Sequence, residues 1–325
     1  MDEFTLIDHF LKPIAGSRDD VLLGIGDDGA VVRPPAGEEL VIVTDTLVAG
    51  IHFPLALAPV DIGYRALAVN LSDIAAMGGT PLWATLALTI PEADETWLRA
   101  FADGFSLARK AHQLSLVGGD TTRGPLTITV QLIGALPPGS ALTRSGAEVG
   151  DAIYVSGTLG DAAAGLEVLQ RGTPHSAEEE FLVARFARPT PRIALGLALR
   201  GIATSCIDIS DGLLADLGHI ATASGRGARI EVARLPISPA CRSVFAKQGV
   251  IRFATAGGDD YELCFTLPND TDVRRLEDTT PIHRIGVMTE GPPGVVAVDE
   301  QERVLALRET GFNHFAENTS QETPQ

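Results

Sequence analysis

Six short segments of the chain place aspartates where carboxylates ought to be costly. Asp27 and Asp28 sit in "LGIGDDGAVV", Asp45 closes the apolar run of "VIVTDTLVAGIHF", and Asp73 lies inside "RALAVNLSDIAAMGG". Asp120 follows the glycines of "LVGGD", Asp208 and Asp211 share "CIDISDG", and Asp259 and Asp260 sit in "TAGGDDYELCF". Each borders a stretch apolar enough to be buried. An ionised carboxylate there is expensive unless it is paired or bound to metal. Arg and Lys are scarce in these segments, so cations are the natural partners. Short aspartate stems in tight, glycine-flanked loops suit hard cations that take oxygen ligands. No Cys or His pair has zinc-ligand spacing. Mg²⁺ usually binds through a few carboxylates together with substrate phosphates, so this many acids point to several ions and a polyphosphate.

Blander readings apply to single residues. Asp beside Gly is common in turns, and any one of these loops alone reads as a turn. Asp61, Asp94 and Asp151 read as caps or turns. Asp211 could simply be satisfied by a helix dipole. Asp73 is harder to dismiss, because a mid-helix Asp in an apolar run has low propensity and needs a partner. His52 alone reads as structural. "GTLGDAAAG" is a weak candidate phosphate loop that fits neither the dinucleotide nor the Walker spacing. Neither a nucleophile elbow nor a protein-kinase signature set is present.

These acids need elements to position them. The 325 residues, 45% hydrophobic, suffice for two globular domains. A net charge of −17 argues against nucleic acid or an anionic membrane as partner. "MDEFTLIDHFLKPIAG" lacks the pattern of a signal peptide, and no apolar stretch has the length of a membrane span. Three cysteines in apolar surroundings read as buried thiols in a reducing cytoplasm. Strands are expected at "VLLGIG", "ELVIVTDTLV", "TPLWATLALTI", "LSLVGGD" (ending at its glycines) and the alternating "LTITVQLIGAL". Helices are expected over Val60 to Met77 and through "ADETWLRAFADGFSLARKAHQ". Pro137-Pro138-Gly139 marks the expected boundary. Beyond it come strand "GDAIYVSG", four helices, three further strands and a terminal hairpin in "GVVAVDEQERVLAL". Strands and helices mix without regular alternation, which predicts two α+β domains, 1–137 and 138–316, and a disordered tail over 317–325.

Taken together, "GIGDDGAVV", "TDTLVAGIHF", "ALAVNLSDIAAMGG", "LVGGDTTRGPLTITV", "ALTRSGAEVGD", "DISDGLLADLGHIA", "GGDDYELCF" and "GFNHF" resemble the thiamine-monophosphate kinase family, in order and over nearly the whole chain. That family belongs to the aminoimidazole ribonucleotide synthetase-like superfamily. The resemblance implies ATP-dependent phosphorylation of thiamine monophosphate to thiamine diphosphate, or another ATP-dependent phosphotransfer or ligation of the superfamily. It implies direct transfer assisted by several Mg²⁺ ions, with no catalytic side chain forming a phosphoenzyme. It implies a homodimer whose N-terminal α/β domains share an intersubunit β-barrel, each followed by an α+β domain. By motif, Asp28, Asp45, Asp73, Asp120, Asp208 and Asp211 resemble metal ligands, with Thr44 helping through an oxygen. Gly119, Asp120, Arg144 and Ser210 resemble ATP contacts. His52, Asp259 and Phe312 resemble substrate contacts. Two positions depart from the family pattern: Asp259 stands where glutamate is usual, and Val43 where a hydroxyl residue is common.

Overall fold

The computed structural model describes residues 2–278, 280–307 and 311. Its strands are β1 (Val21–Leu23), β2 (Val31–Val32), β3 (Glu39–Val48), β4 (Thr80–Ile90), β5 (Ser115–Arg123), β6 (Thr127–Leu136), β7 (Ala152–Ser156), β8 (Ser205–Asp208), β9 (Gly227–Glu231), β10 (Leu263–Leu267), β11 (Ile282–Thr289) and β12 (Gly294–Val298). Its α-helices are α1 (Glu3–Leu6), α2 (Pro59–Ala76), α3 (Glu95–Ala111), α4 (Asp161–Arg171), α5 (Ala177–Ala187), α6 (Ile193–Leu199), α7 (Leu213–Ser224), α8 (Pro239–Val244), α9 (Lys247–Ala256) and α10 (Arg274–Glu277). Among the described residues no helix is long and apolar enough to cross a membrane. Cys206, Cys241 and Cys264 are buried free thiols.

The chain makes two larger sheets. The first has four strands in the order β3-β6-β4-β5, and the second six in the order β12-β9-β11-β7-β10-β8. Only β4/β5 and β12/β9 pair in parallel among the pairs in these two sheets. The architecture is α+β, as the irregular mixture of strands and helices predicts.

Alternation along the first sheet sorts its faces. Val41 and Leu47 of β3, Ile128, Val130 and Leu132 of β6, and Leu86 and Leu88 of β4 are buried in a core that includes Leu67 and Leu71 of α2 and Phe101 and Phe105 of α3. The other face carries Leu40 and Ile42, 44% and 61% exposed. One end of that face is covered, where Trp83 and Val117 pack with Val21 and Val32 of the small β1-β2 hairpin.

Three expectations are adjusted. The strand at "LSLVGGD" does not stop at its glycines but runs on to Arg123. Gly119 makes this possible: its φ is +156°, and a Cβ there would stand 1.9 Å from the Leu86 carbonyl oxygen. The terminal hairpin reduces to β12, parallel to β9, with a single return bridge from Val298 to Val304. Asp61 is not the N-cap of α2, which is Ala58; Asp61 lies in the first turn and accepts from Arg188 Nε at 2.5 Å. Asp94 does cap α3, through the N–H groups of Thr96 and Trp97.

Candidate active site

Asp45 arrives near the end of β3. Strand alternation turns it toward α2, and its N–H donates to Asn70 Oδ1 at 3.1 Å. Asp73 lies three residues beyond Asn70, on the same helix face. The Asp45 and Asp73 carboxyls hydrogen-bond to each other, which requires a shared proton. Burial first, then the charges of Asp208 and Asp45, push the Asp73 pKa up to about 9. Burial raises Asp45 as well. Asp208, the last residue of β8, accepts a 2.7 Å hydrogen bond from Ser72 Oγ. Burial pushes it up to about 6. Asp211, in the loop leading to α7, adds a further negative charge near Asp45. Arg144 opposes these acids, holding down both Asp73 and Asp208. Its loop is tied to β8 where Cys206 N–H donates to Thr143 O at 2.8 Å.

The loop between β8 and α7 is fixed from below. Asp216 Oδ2 accepts the N–H groups of Ser210, Asp211 and Gly212 at 3.1, 3.1 and 3.0 Å. From the other side Asp259 N–H donates to Ser210 O at 2.8 Å. The two loops touch because residue 258 is glycine: a Cβ there would stand 2.4 Å from that same oxygen. Together they line a cleft of about 1400 Å³. Asp45, His52, Ser210, Asp211 and Asp259 border it, with α4 and α9 forming much of the far wall. His52 Nδ1 accepts the Val48 N–H at 2.9 Å, which fixes the ring orientation.

The two tandem aspartates are resolved differently. Asp27 and Asp28 are exposed, so water screens their repulsion, and Asp27 Oδ1 accepts the Asp28 N–H at 2.9 Å. Asp259 and Asp260 split apart. Asp260 turns into the core and accepts N–H groups of Gly160 and Ala162 at 2.6 and 3.2 Å, while burial pushes it up to about 8. Those donors begin α4, so the candidate phosphate loop at "GTLGDAAAG" is already occupied by the chain's own carboxylate. Asp259 faces the cleft.

The remaining expected residues lie elsewhere in the single chain. Asp28 is exposed in the loop of the β1-β2 hairpin. Thr44 is exposed, and alternation turns its hydroxyl to the face opposite Asp45. Asp120 sits in the cross-sheet row Thr46–Thr129–Ala87–Asp120, and Gly119 in the row of Asp45. Three strand spacings, about 14 Å, separate β3 from β5, so Asp45 and Asp120 of one chain cannot share an ion. Phe312 lies outside the described residues, as does the tail; Gly311, just before it, borders the cleft.

The donor set fits Mg²⁺. All four clustered acids offer oxygen, and three of them, Asp45, Asp73 and Asp208, hold carboxyls that burial drives toward protonation unless a cation compensates. Among the described residues no three His, Cys, Asp or Glu side chains already stand where one ion would bond them all. That is compatible with Mg²⁺, which keeps several waters and takes one or two carboxylates with substrate phosphates.

Family models describe the chain as an AIR synthase related protein, with the N-terminal domain at residues 26–136 and the C-terminal domain at 148–299. A thiamine-monophosphate kinase of Escherichia coli (strain K12) is 48% identical over 97% of this chain and 98% of its own. The chain belongs to the thiamine-monophosphate kinase family. It is therefore an enzyme, a phosphotransferase. The crystal structure of thiamine-monophosphate kinase from Stenotrophomonas maltophilia K279a superposes with a TM-score of 0.84 at 48% identity, covering 91% of this chain and 96% of that one. AaThiL complexed with AMPPCP and TMP superposes at 0.78 with 34% identity, covering 96% and 97%.

For a thiamine-monophosphate kinase family site, sequence reasoning passed over the residues that hold the acids in place. Asn70 and Ser72 flank Asp73 in α2 and contact Asp45 and Asp208. Asp216 fixes the Ser210–Gly212 loop, and burial pushes it up to about 8. Arg65 is fully buried in the same helix. The signal was available: Arg65, Asn70 and Ser72 are polar residues inside the apolar run that made Asp73 conspicuous.

Proposed function

We propose that this protein transfers the γ-phosphoryl group of ATP to thiamine monophosphate, giving thiamine diphosphate and ADP. The observation that carries the reading is the convergence of Asp45, Asp73, Asp208 and Asp211 at the border of the cleft that also holds His52 and Asp259. AaThiL, so similar in fold, binds AMPPCP and TMP. The acceptor phosphate is already anionic at neutral pH and needs no strong base, which suits a site rich in aspartate. What it needs is cancellation of charge between two anions. Mg²⁺ held by Asp45, Asp73, Asp208 and Asp211, with Asp28, Asp120 and a Thr44 oxygen, would supply that cancellation. Arg144, Ser210 and Gly119 would orient the nucleotide, and His52, Asp259 and Phe312 the acceptor, for in-line transfer without a phosphoenzyme. We assign pairing and the larger share of the nucleotide and metal contacts to residues 1–137, with Arg144, Asp208, Ser210 and Asp211 contributed by 138–316. Buried free thiols suit a reducing compartment, and we place the reaction in the cytoplasm.

The same reading includes a homodimer with a shared barrel. Among the described residues neither edge strand of the four-stranded sheet pairs with a further strand, and Leu40 and Ile42 on one face are exposed. Pairing β5 of one chain with β3 of a second would close eight strands and bring Asp120 to the partner's carboxylates. Purified protein with excess Mg²⁺ is expected to form thiamine diphosphate from thiamine monophosphate and ATP, and none in excess EDTA. Absence of product by chromatography with Mg²⁺ present removes the assignment. Light scattering at micromolar concentration is expected to give the mass of two chains, and a single-chain mass would count against the shared barrel.

A further inference from the structure

Asp259 is not alone at the cleft. Beneath it lies Arg65, 1% exposed at its side chain against 27% for Asp259. The guanidinium is split between two tasks. One Nη donates to Phe186 O at 2.5 Å, and the other donates to Asp259 Oδ1. Its plane is packed by aromatic rings, with Cζ 4.3 Å from the Phe186 centroid and 5.5 Å from that of Tyr261. Nothing in α2 alone explains an arginine here, since burying an unpaired cation is costly. Asp259 meets it by adopting a φ of +70°, a left-handed conformation that aspartate tolerates better than most residues. The Tyr261 hydroxyl donates to the same oxygen at 3.4 Å. Both described partners therefore take Oδ1, and the carboxylate borders the cleft.

A carboxylate whose charge is already met by a buried guanidinium is a poor counter-ion for a second cation. It remains a strong hydrogen-bond acceptor, held at a fixed angle. Building on the proposed function, we propose that Arg65 is a positioning residue for Asp259, and that the pair offers Oδ2 to an amino group of the substrate rather than to its positive charge. The pair also accounts for a short acid at this position. Arginine reaches further than lysine and binds through two separate N–H groups, so aspartate suffices where a lysine would need the extra methylene of glutamate.

Arg65→Lys keeps the charge but loses the fork. It is expected to raise KM for thiamine monophosphate roughly tenfold, the worth of a hydrogen bond to a charged group, and leave KM for ATP within about twofold. Arg65→Lys with Asp259→Glu should recover much of that loss, because the longer acid reaches the ammonium. If Arg65→Lys is too unstable to assay, the wild-type enzyme decides through the substrate. An analogue of thiamine monophosphate with a carbonyl oxygen in place of the pyrimidine amino group should bind roughly tenfold more weakly or worse, at unchanged KM for ATP. The proposal is overturned if that analogue is used as well as the natural substrate. It is also overturned if both KM values rise together with a lower melting temperature and no recovery in the double variant, because Arg65 is then only structural. Product formation by the wild type separates the two levels: with it, these failures reach only the Arg65–Asp259 assignment; without it, the proposed function and this inference fall together.

Discussion

Asp73→Asn is expected to lower kcat/KM by about a hundredfold or more, while making the metal-free chain more heat-stable, by roughly 2 °C or more. The two effects have one cause. Asp73 is held among Asp45 and Asp208, where burial and like charge raise its pKa from 3.8 to about 9. Between those values the folded, metal-free chain holds a proton that the unfolded chain releases. Stability therefore falls as pH rises through this window, because deprotonation is harder in the folded state. Asparagine cannot ionise, so it removes Asp73's contribution to that slope, and the gain in melting temperature should be larger at pH 8.5 than at pH 5. With substrate present the balance reverses, since the charge that destabilises the empty fold is the charge that would attract the cation. Melting curves in EDTA at both pH values, set beside steady-state kinetics in Mg²⁺, check both halves. A variant with near-wild-type kcat/KM removes Asp73 from the mechanism. A variant equally active but destabilised would make it an ordinary core contact.

The legible part of this site is the part whose cost is local. Asp73 was conspicuous because an apolar helix should not contain it, and Asp45 because an apolar strand should not end on it. Their helix and strand were legible from the same apolar periodicity. Partners distant in sequence were not. Arg65 and Asp259 are 194 positions apart, and nothing near either residue announces the other. Asp260 reads like its neighbour Asp259, yet one enters the core to cap α4 and the other lines the cleft. Which way each turns depends on the register of β10 against β8 and on the loop that register leaves behind, a tertiary choice that local pattern does not encode. Glu262 shows the same limit: it is fully buried, and only folding supplies the Arg185 and Arg192 guanidinium groups that satisfy it. The glycines of β5 misled in the opposite direction, because a glycine that ends a strand and one that lets two strands press together look alike in sequence.

Mixing two inactive variants is expected to restore activity. Asp45 lies on β3 and Asp120 on β5, the opposite edges of one four-stranded sheet. Three strand spacings, about 14 Å, exceed any distance that one ion could bridge, so in the proposed homodimer an ion bound by both would draw them from different chains. Asp45→Asn and Asp120→Asn should each be about a hundredfold or more below wild type as homodimers. When the two are unfolded together and refolded, about half the dimers carry one chain of each kind, as random pairing requires. In such a dimer one centre receives both substitutions and the other receives neither. About a quarter of the wild-type activity should return, one intact centre out of two in half of the molecules. Mixing Asp45→Asn with Asp73→Asn provides the control. Those two acids hydrogen-bond within one chain, so every centre of every mixed dimer keeps one defect and no activity should return. Recovery in the first mixture but not the second assigns Asp120 to the partner's centre. A first mixture as inactive as its components would show that the cross-sheet pairing is wrong, and with it the route by which Asp120 joins the carboxylate cluster.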